Sequence, residues 1–305
     1  MEYFPHEKID KLKWDICIAN AFNATPYAYS NYLDLVSPNW DALISKNYST
    51  VLPLTKRNKY GVEYICQPLF APQLGAFSTI TTNNFCVDEY IGAIPSKFKI
   101  IDLALNPYNY IINPDLEINC KNLVSQKLNL NKPYEEIKQF YKYNHILNIH
   151  KFEKKGLVYN IGELTPADFY HNKIVSIQHN GNWISAADKT ILYNLLLHFN
   201  ELNKLKIIAG FNRQHKPIGA VAFFFYDNYI FFQSFNTMAG RKCGLIFYLI
   251  DDMIKKHSGK PLYLDFMGSS IAGVKYRNSG FGSTDVAYTR VTINRLPKFF
   301  RLFRK

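Results

Sequence analysis

An α/β chain of two domains, each holding strands and helices of its own, is what three features of this sequence predict. The chain has 305 residues, enough for two domains at about 150 residues each. It is 48% hydrophobic and 20% charged, a globular balance that excludes a disordered or collagen-like polypeptide. Short apolar runs of strand type alternate with segments of helical spacing in both halves. Aromatic residues, 22 Tyr and 23 Phe among them, can fill one or two dense cores.

The elements follow in order. Ile9, Leu12, Trp14, Ile16 and Ile18 form a first helical pattern, which the chain breaks at Pro26; Ser30–Val36 is a second, short helix. Residues 50–55 and 61–66 are β-rich and separated by Arg57-Asn58-Lys59-Tyr60, so they predict a hairpin, with Pro53 marking an edge strand. A helix over Asn83–Ile94 precedes an apolar strand, Lys99–Leu105, and strand-like pieces continue to about Leu130. From Pro133 to Lys155 one long helix is predicted: Pro133 suits a first turn, Glu135 and Glu136 suit the positive end of the dipole, and Gly156 closes it. Thr165-Pro166 opens the next helix. Another spans about Ala186–Leu205, with Ile191, Leu192, Leu195, Leu196 and Phe199 on one face.

Three consecutive strands come next, Lys206–Phe211, Pro217–Tyr226 and Tyr229–Phe235, the last two joined by the two-residue turn Asp227-Asn228. A loop, Asn236–Cys243, leads into a helix, Leu245–Lys256. The strand Leu262–Phe266, a helix over Ile271–Asn278 and a last strand, Thr284–Thr292, complete the order. Strands and helices in this succession describe a sheet covered by helices.

Charge is unevenly placed. Residues 1–150 hold 14 basic and 14 acidic side chains, whereas residues 151–305 hold 22 and 10. The second half thus carries the whole excess and favours a polyanionic ligand: a phosphate-rich cofactor, RNA or an anionic lipid surface. Five scattered cysteines without a CxxC pair are read as reduced thiols, which points to the cytoplasm. The N-terminus shows no signal-peptide pattern, and Gly219–Phe232 is too short and too broken by Asp227 and Asn228 to span a bilayer.

The residues Ala272-Gly-Val-Lys-Tyr276-Arg-Asn-Ser-Gly280-Phe281 place Ala272 and Tyr276 on one helix face, with Gly280 expected to end that helix in the left-handed region. Together with the element order, this segment resembles the closing part of the GNAT superfamily of N-acetyltransferases. The resemblance implies that Tyr276 is the acid that protonates a departing thiolate; the alternative is a tyrosine packed on the sheet. That superfamily binds the acyl-CoA pyrophosphate on a loop before a helix. Here Arg241 and Gly244 fit the loop's first two fixed positions, while Ile246 stands where a small residue belongs. The resemblance therefore makes Phe235, Arg241, Lys242, Cys243 and Gly244 the acyl-CoA contacts, and the alternative is an ordinary helix entrance.

A second resemblance covers nearly the whole chain. Asp265-Phe-Met-Gly268-Ser269, Phe281-Gly282 and Leu296-Pro297 are similar to the Fem-type aminoacyltransferases and their relatives with a BioF-like acetyltransferase domain. So are Pro53-Leu54, Gln67-Pro68 and Gln73-Leu74-Gly75, and the connector Tyr143–Lys151, where His145 and His150 replace the basic residues common in such proteins. This implies two GNAT-like domains, each a mixed, mostly antiparallel sheet flanked by helices: 1–132, a connecting helix 133–156, and 157–305 with the working site.

Asp265 ends a buried-type strand, where its carboxylate must find partners. It either positions or deprotonates an acceptor amine, or ties down the Gly-Ser turn after it. Eight histidines form no HExxH, and no Walker A, GxGxxG or GxSxG motif occurs, so metal, nucleotide and serine-nucleophile chemistry lack a signature. The tail from Arg290 to Lys305 interleaves basic residues with Phe299, Phe300 and Phe303. It either touches an anionic membrane surface or RNA phosphates weakly, or docks its rings on the domain. The expected activity is N-acyl transfer from acyl-CoA to the amine of a small molecule or peptide. Two alternatives stand beside it: Fem-like transfer from aminoacyl-tRNA to a cell-wall or peptide amine, and a non-catalytic binding protein that keeps the fold.

Overall fold

The computed structural model describes residues 1–82, 85–112, 118–154, 159–268 and 272–297. The chain forms two compact units, Met1–Val124 with the returning segment from Ala287, and Ser125–Val286. This division differs from the expected one at 132 and 156. The connecting segment belongs to the second unit, and the last strand goes back to the first. Two long strands, Ile118–Asn129 and Thr284–Asn294, each run from one unit into the other.

In the first unit, Glu2–Phe4, Asp41–Ile44, Thr50–Leu54 and Phe77–Ser78 form an antiparallel sheet. The helix Lys11–Asn20, capped by the Asp10 carboxylate on the Lys13 N–H, buries Trp14 against Trp40 with ring centroids 4.6 Å apart. Pro53 pairs with Ala42 in an internal strand, beyond the two residues that Phe77–Ser78 reaches, so its missing N–H deprives no neighbour. The hairpin expected between 50–55 and 61–66 has a different first strand: Lys56–Lys59, expected largely as its turn, pairs with Val62–Cys66, with Tyr60 and Gly61 at positive φ between them, while Thr50–Leu54 belongs to the other sheet. Val62–Cys66 pairs in parallel with Ile100–Ala104, which in turn pairs with the returning strand. The segment expected as one helix from Asn83 is the short strand Phe85–Cys86 and the helix Asp88–Gly92; Asn83 itself lies outside the described residues.

The second unit contains β1 (Ile118–Asn129, through its C-terminal end), α1 (Tyr134–Lys138), α2 (Tyr143–Lys154), β2 (Asn160–Glu163), α3 (Pro166–His179), α4 (Ala186–Glu201), β3 (Leu205–Phe211), β4 (Pro217–Tyr226), β5 (Tyr229–Asn236), α5 (Met238–Cys243), α6 (Leu245–His257), β6 (Tyr263–Asp265), α7 (Ala272–Ser279) and the start of β7 (Thr284–Asn294). Three expectations change. The single helix over 133–155 is two, because the chain breaks at Gln139–Lys142, where Tyr141 bridges to Phe281. The loop Asn236–Cys243 is largely the helix α5, its first turn capped by Thr237 Oγ1 on the Gly240 N–H. The helix over 186–205 stops at Glu201, since Leu205 already pairs with Phe224.

Strands β2 to β5 are successive antiparallel neighbours. β5 then pairs in parallel with β6, from Tyr229 opposite Tyr263 to Phe231 opposite Asp265. Helices cover both faces, and strand alternation assigns the residues between them. On one side Phe232, Val221 and Ile230 join Leu249, Ile250 and Ile149 of α6 and α2 in a common core. On the other, Phe231 meets Phe199 of α4 at 5.8 Å and Phe235 meets Phe169 of α3 at 5.6 Å. The apolar stripe of α4 is buried as its spacing predicts. Among the described residues, no helix is long and apolar enough to cross a membrane.

Candidate active site

Past Phe231 and Asp265 the parallel strands part. β5 continues to Asn236, while β6 ends in a turn with Met267 and Gly268 at positive φ, 59° and 63°. Asp265 makes that turn. It is 2% exposed, and its Oδ1 accepts the Met267 N–H at 2.7 Å. The structure thus gives Asp265 the tie-down contact that its sequence position allowed. Ser269 and Ser270 lie outside the described residues.

Two cations reach into the opening so formed. From α3, Lys173 Nζ donates to the Ser234 carbonyl at 2.6 Å. From α7, Arg277 Nη1 donates to Ser234 Oγ at 3.3 Å, and its guanidinium lies 5.3 Å from the Phe232 ring centroid. Arg277 also donates twice to Asn278 Oδ1. Burial, together with the Arg277 charge, pushes the Lys173 amine down to about 8, and burial lowers Arg277 to about 10. Neither residue stood out in the sequence. One signal was available: Lys173 sits four residues after Phe169, on the helix face that packs against the sheet.

Helix α7 is held by His145, fully buried at the start of α2. Its Nε2 lies 2.8 Å from the Arg277 carbonyl oxygen, and its ring stands edge-on to Phe247 and Phe281. Gly280 touches that ring so closely that a Cβ would overlap it. The glycine of the motif is thus required for space rather than for the left-handed conformation expected; the residue at positive φ is Gly282, at 73°. Ala272 and Tyr276 do share a side of α7, but it is the exposed one, and Asn278 is the buried residue. Tyr276 is 44% exposed and its hydroxyl accepts from Asn144 Nδ2 at 3.0 Å.

Phe235 and Arg241 come together. Both line a cleft of about 440 Å³ between α3 and the end of β5, with Val175, His179, Asn180 and Met238. Arg241 Nη2 donates to Asn180 Oδ1 at 2.9 Å, and Lys242 is exposed. Cys243 is buried, its Sγ against the Gly240 carbonyl. Gly244 is left-handed at φ 82°, and the Asn148 carbonyl of α2 fills the space where a Cβ would stand. Asn148 in turn donates to the Asn144 carbonyl at 2.7 Å. A single line of contacts therefore runs from Gly244 through Asn148 and Asn144 to Tyr276. No group of three His, Cys, Asp or Glu side chains able to hold a metal occurs among the described residues.

No protein-family model and no curated protein matches this sequence. Solved structures do share its fold. FemX superposes with a TM-score of 0.62 at 10% identity, covering 100% of both chains. A conserved protein of unknown function from Bacteroides thetaiotaomicron gives 0.57 at 8% identity, over 95% of this chain and 99% of the other. An acetyltransferase of the GNAT family from Colwellia psychrerythraea gives 0.51 at 9% identity, over 96% and 100%. The chain has a GNAT-like, Fem-like acyltransferase fold.

Proposed function

We propose that this chain is an N-acyltransferase, with the acyl carbonyl seated where β5 and β6 part. The observation that carries the reading is Ser234. Its carbonyl is turned away from β4 and taken by Lys173, and within a strand a residue's N–H projects to the same side as its carbonyl. The Ser234 N–H thus faces the opening as a fixed donor for a developing oxyanion. The substrate amine attacks the carbonyl carbon, the bond to the leaving sulfur or oxygen breaks, the amine loses a proton and the leaving group gains one. Tyr276 is the proton donor in this reading, and Asp265 holds the turn that keeps the notch open.

With acyl-CoA as donor, Phe235, Arg241, Lys242, Cys243 and Gly244 are the contacts, and the cleft beside Phe235 and Met238 receives the apolar part. One observation favours an aminoacyl-tRNA donor: the Asn148 carbonyl stands over Gly244, so a pyrophosphate at the α6 N-terminus meets an oxygen. The excess of basic residues after position 150 fits the same donor. An amine-acylation assay with acetyl-CoA, longer acyl-CoAs and charged tRNA tests both forms. Transfer from charged tRNA with steep loss of affinity on raising salt selects the second. Transfer from no donor refutes acyl transfer and leaves a binding protein with this fold.

A further inference from the structure

Lys173 and Arg277 present a problem that the acyl-transfer reading does not address. They lie on different faces of β5: α3, which carries Lys173, packs over Phe235, whereas Arg277 lies over Phe232. Both nevertheless end on one residue, Ser234. Their protein partners are neutral: a carbonyl, a hydroxyl and an amide oxygen. Among the described residues neither forms an ion pair, and each side chain is at most partly exposed.

Two like charges drawn together out of water without a carboxylate are unfavourable in the folded protein. A fold that needed only the two hydrogen bonds would hold neutral donors there. What the geometry lacks is an anion. Arg supplies a planar fork and Lys a point charge, the pair of donors that suits a carboxylate or a phosphate oxygen.

We propose that Lys173 and Arg277 form a binding site for an oxyanion, a carboxylate or phosphate carried by a substrate, at the mouth of the β5/β6 notch. The proposal deepens the acyl-transfer reading by giving the substrate's chemical class, and rests on it only for which substrate carries the anion. The binding itself requires no turnover.

Inorganic phosphate and, in a parallel arm, acetate are titrated calorimetrically into the full chain at constant ionic strength. The wild type is expected to bind one of them at a single site, and the arm that responds separates phosphate from carboxylate. Arg277→Met and Lys173→Met should each weaken that binding about tenfold or more, by removal of one charge-assisted contact. Lys173→Arg, which keeps the charge, should retain it, and Lys216→Met, in the exposed turn between β3 and β4, should leave it unchanged. No binding of either anion up to about 50 mM, or equal binding by wild type and both Met variants, overturns the site. Absence of anion binding by the wild type with acyl transfer intact refutes this proposal alone, whereas wild-type anion binding without transfer from any donor refutes the acyl-transfer reading alone.

Discussion

Replacing Lys173 by Met should stabilise the protein at neutral pH. The amine is held at about 8 instead of 10.5, which at about 1.4 kcal/mol per pH unit is about 3 kcal/mol against the folded state while the lysine is charged. Met keeps most of the stem packing but loses the bond to the Ser234 carbonyl, worth about 1 kcal/mol. Partial solvent access reduces the electrostatic part further, so a net gain of about 1–2 kcal/mol remains. The pH dependence fixes the sign. Between about 8 and 10.5 the unfolded chain binds more protons than the folded one, so wild-type stability rises with pH through that window. Below about 8 the full penalty is present. Chemical denaturation of both proteins at pH 7, 9 and 10.5 reads the difference: the variant leads at pH 7 and loses its lead by pH 10.5. A variant less stable than wild type at pH 7, or a difference that does not change with pH, would refute the argument and make Lys173 a structural partner of Ser234.

Three further outcomes are expected. Tyr276→Phe should lower turnover about 10²–10⁴-fold if the hydroxyl is the acid, with thermal unfolding almost unchanged because the ring is half exposed; unchanged turnover removes Tyr276 from the chemistry. Gly280→Ala pushes a methyl into the His145 ring and should destabilise the fold by about 1–3 kcal/mol, with partial recovery in the double variant Gly280→Ala/His145→Ala, as denaturation midpoints will show. Burial holds His145 below its ordinary value, against the partly opposing bond to the Arg277 carbonyl. Below about pH 6.5 the unfolded chain therefore binds the extra proton, and stability falls as pH falls; His145→Gln should flatten that slope between pH 7 and 5, and an unaltered slope would show that other groups set it.

Local rules made much of the second unit legible. Asp227-Asn228 marked a tight turn, the stripe Ile191 to Phe199 marked a buried helix face, and the order from Lys206 to Thr292 described a sheet with covering helices. Of the tail from Arg290 to Lys305, Arg290 is engaged within the first unit, bidentate on Asp102 at 2.6 and 2.7 Å, and the residues beyond Pro297 lie outside the described ones. Where the reading went astray, non-local contacts decide. Residues 139–142 leave the helix because Tyr141 bridges to Phe281; Gly280 is fixed by a ring 135 positions earlier in the chain. Ser234 gains its two cations only when α3 and α7 close on β5 from different sides. The sequence by itself determined periodicities, turns and the signature around Tyr276, because these depend on neighbours within a few residues. Only the tertiary structure decided that Lys173 and Arg277 meet at Ser234, because the energy of a charge depends on what surrounds it in space.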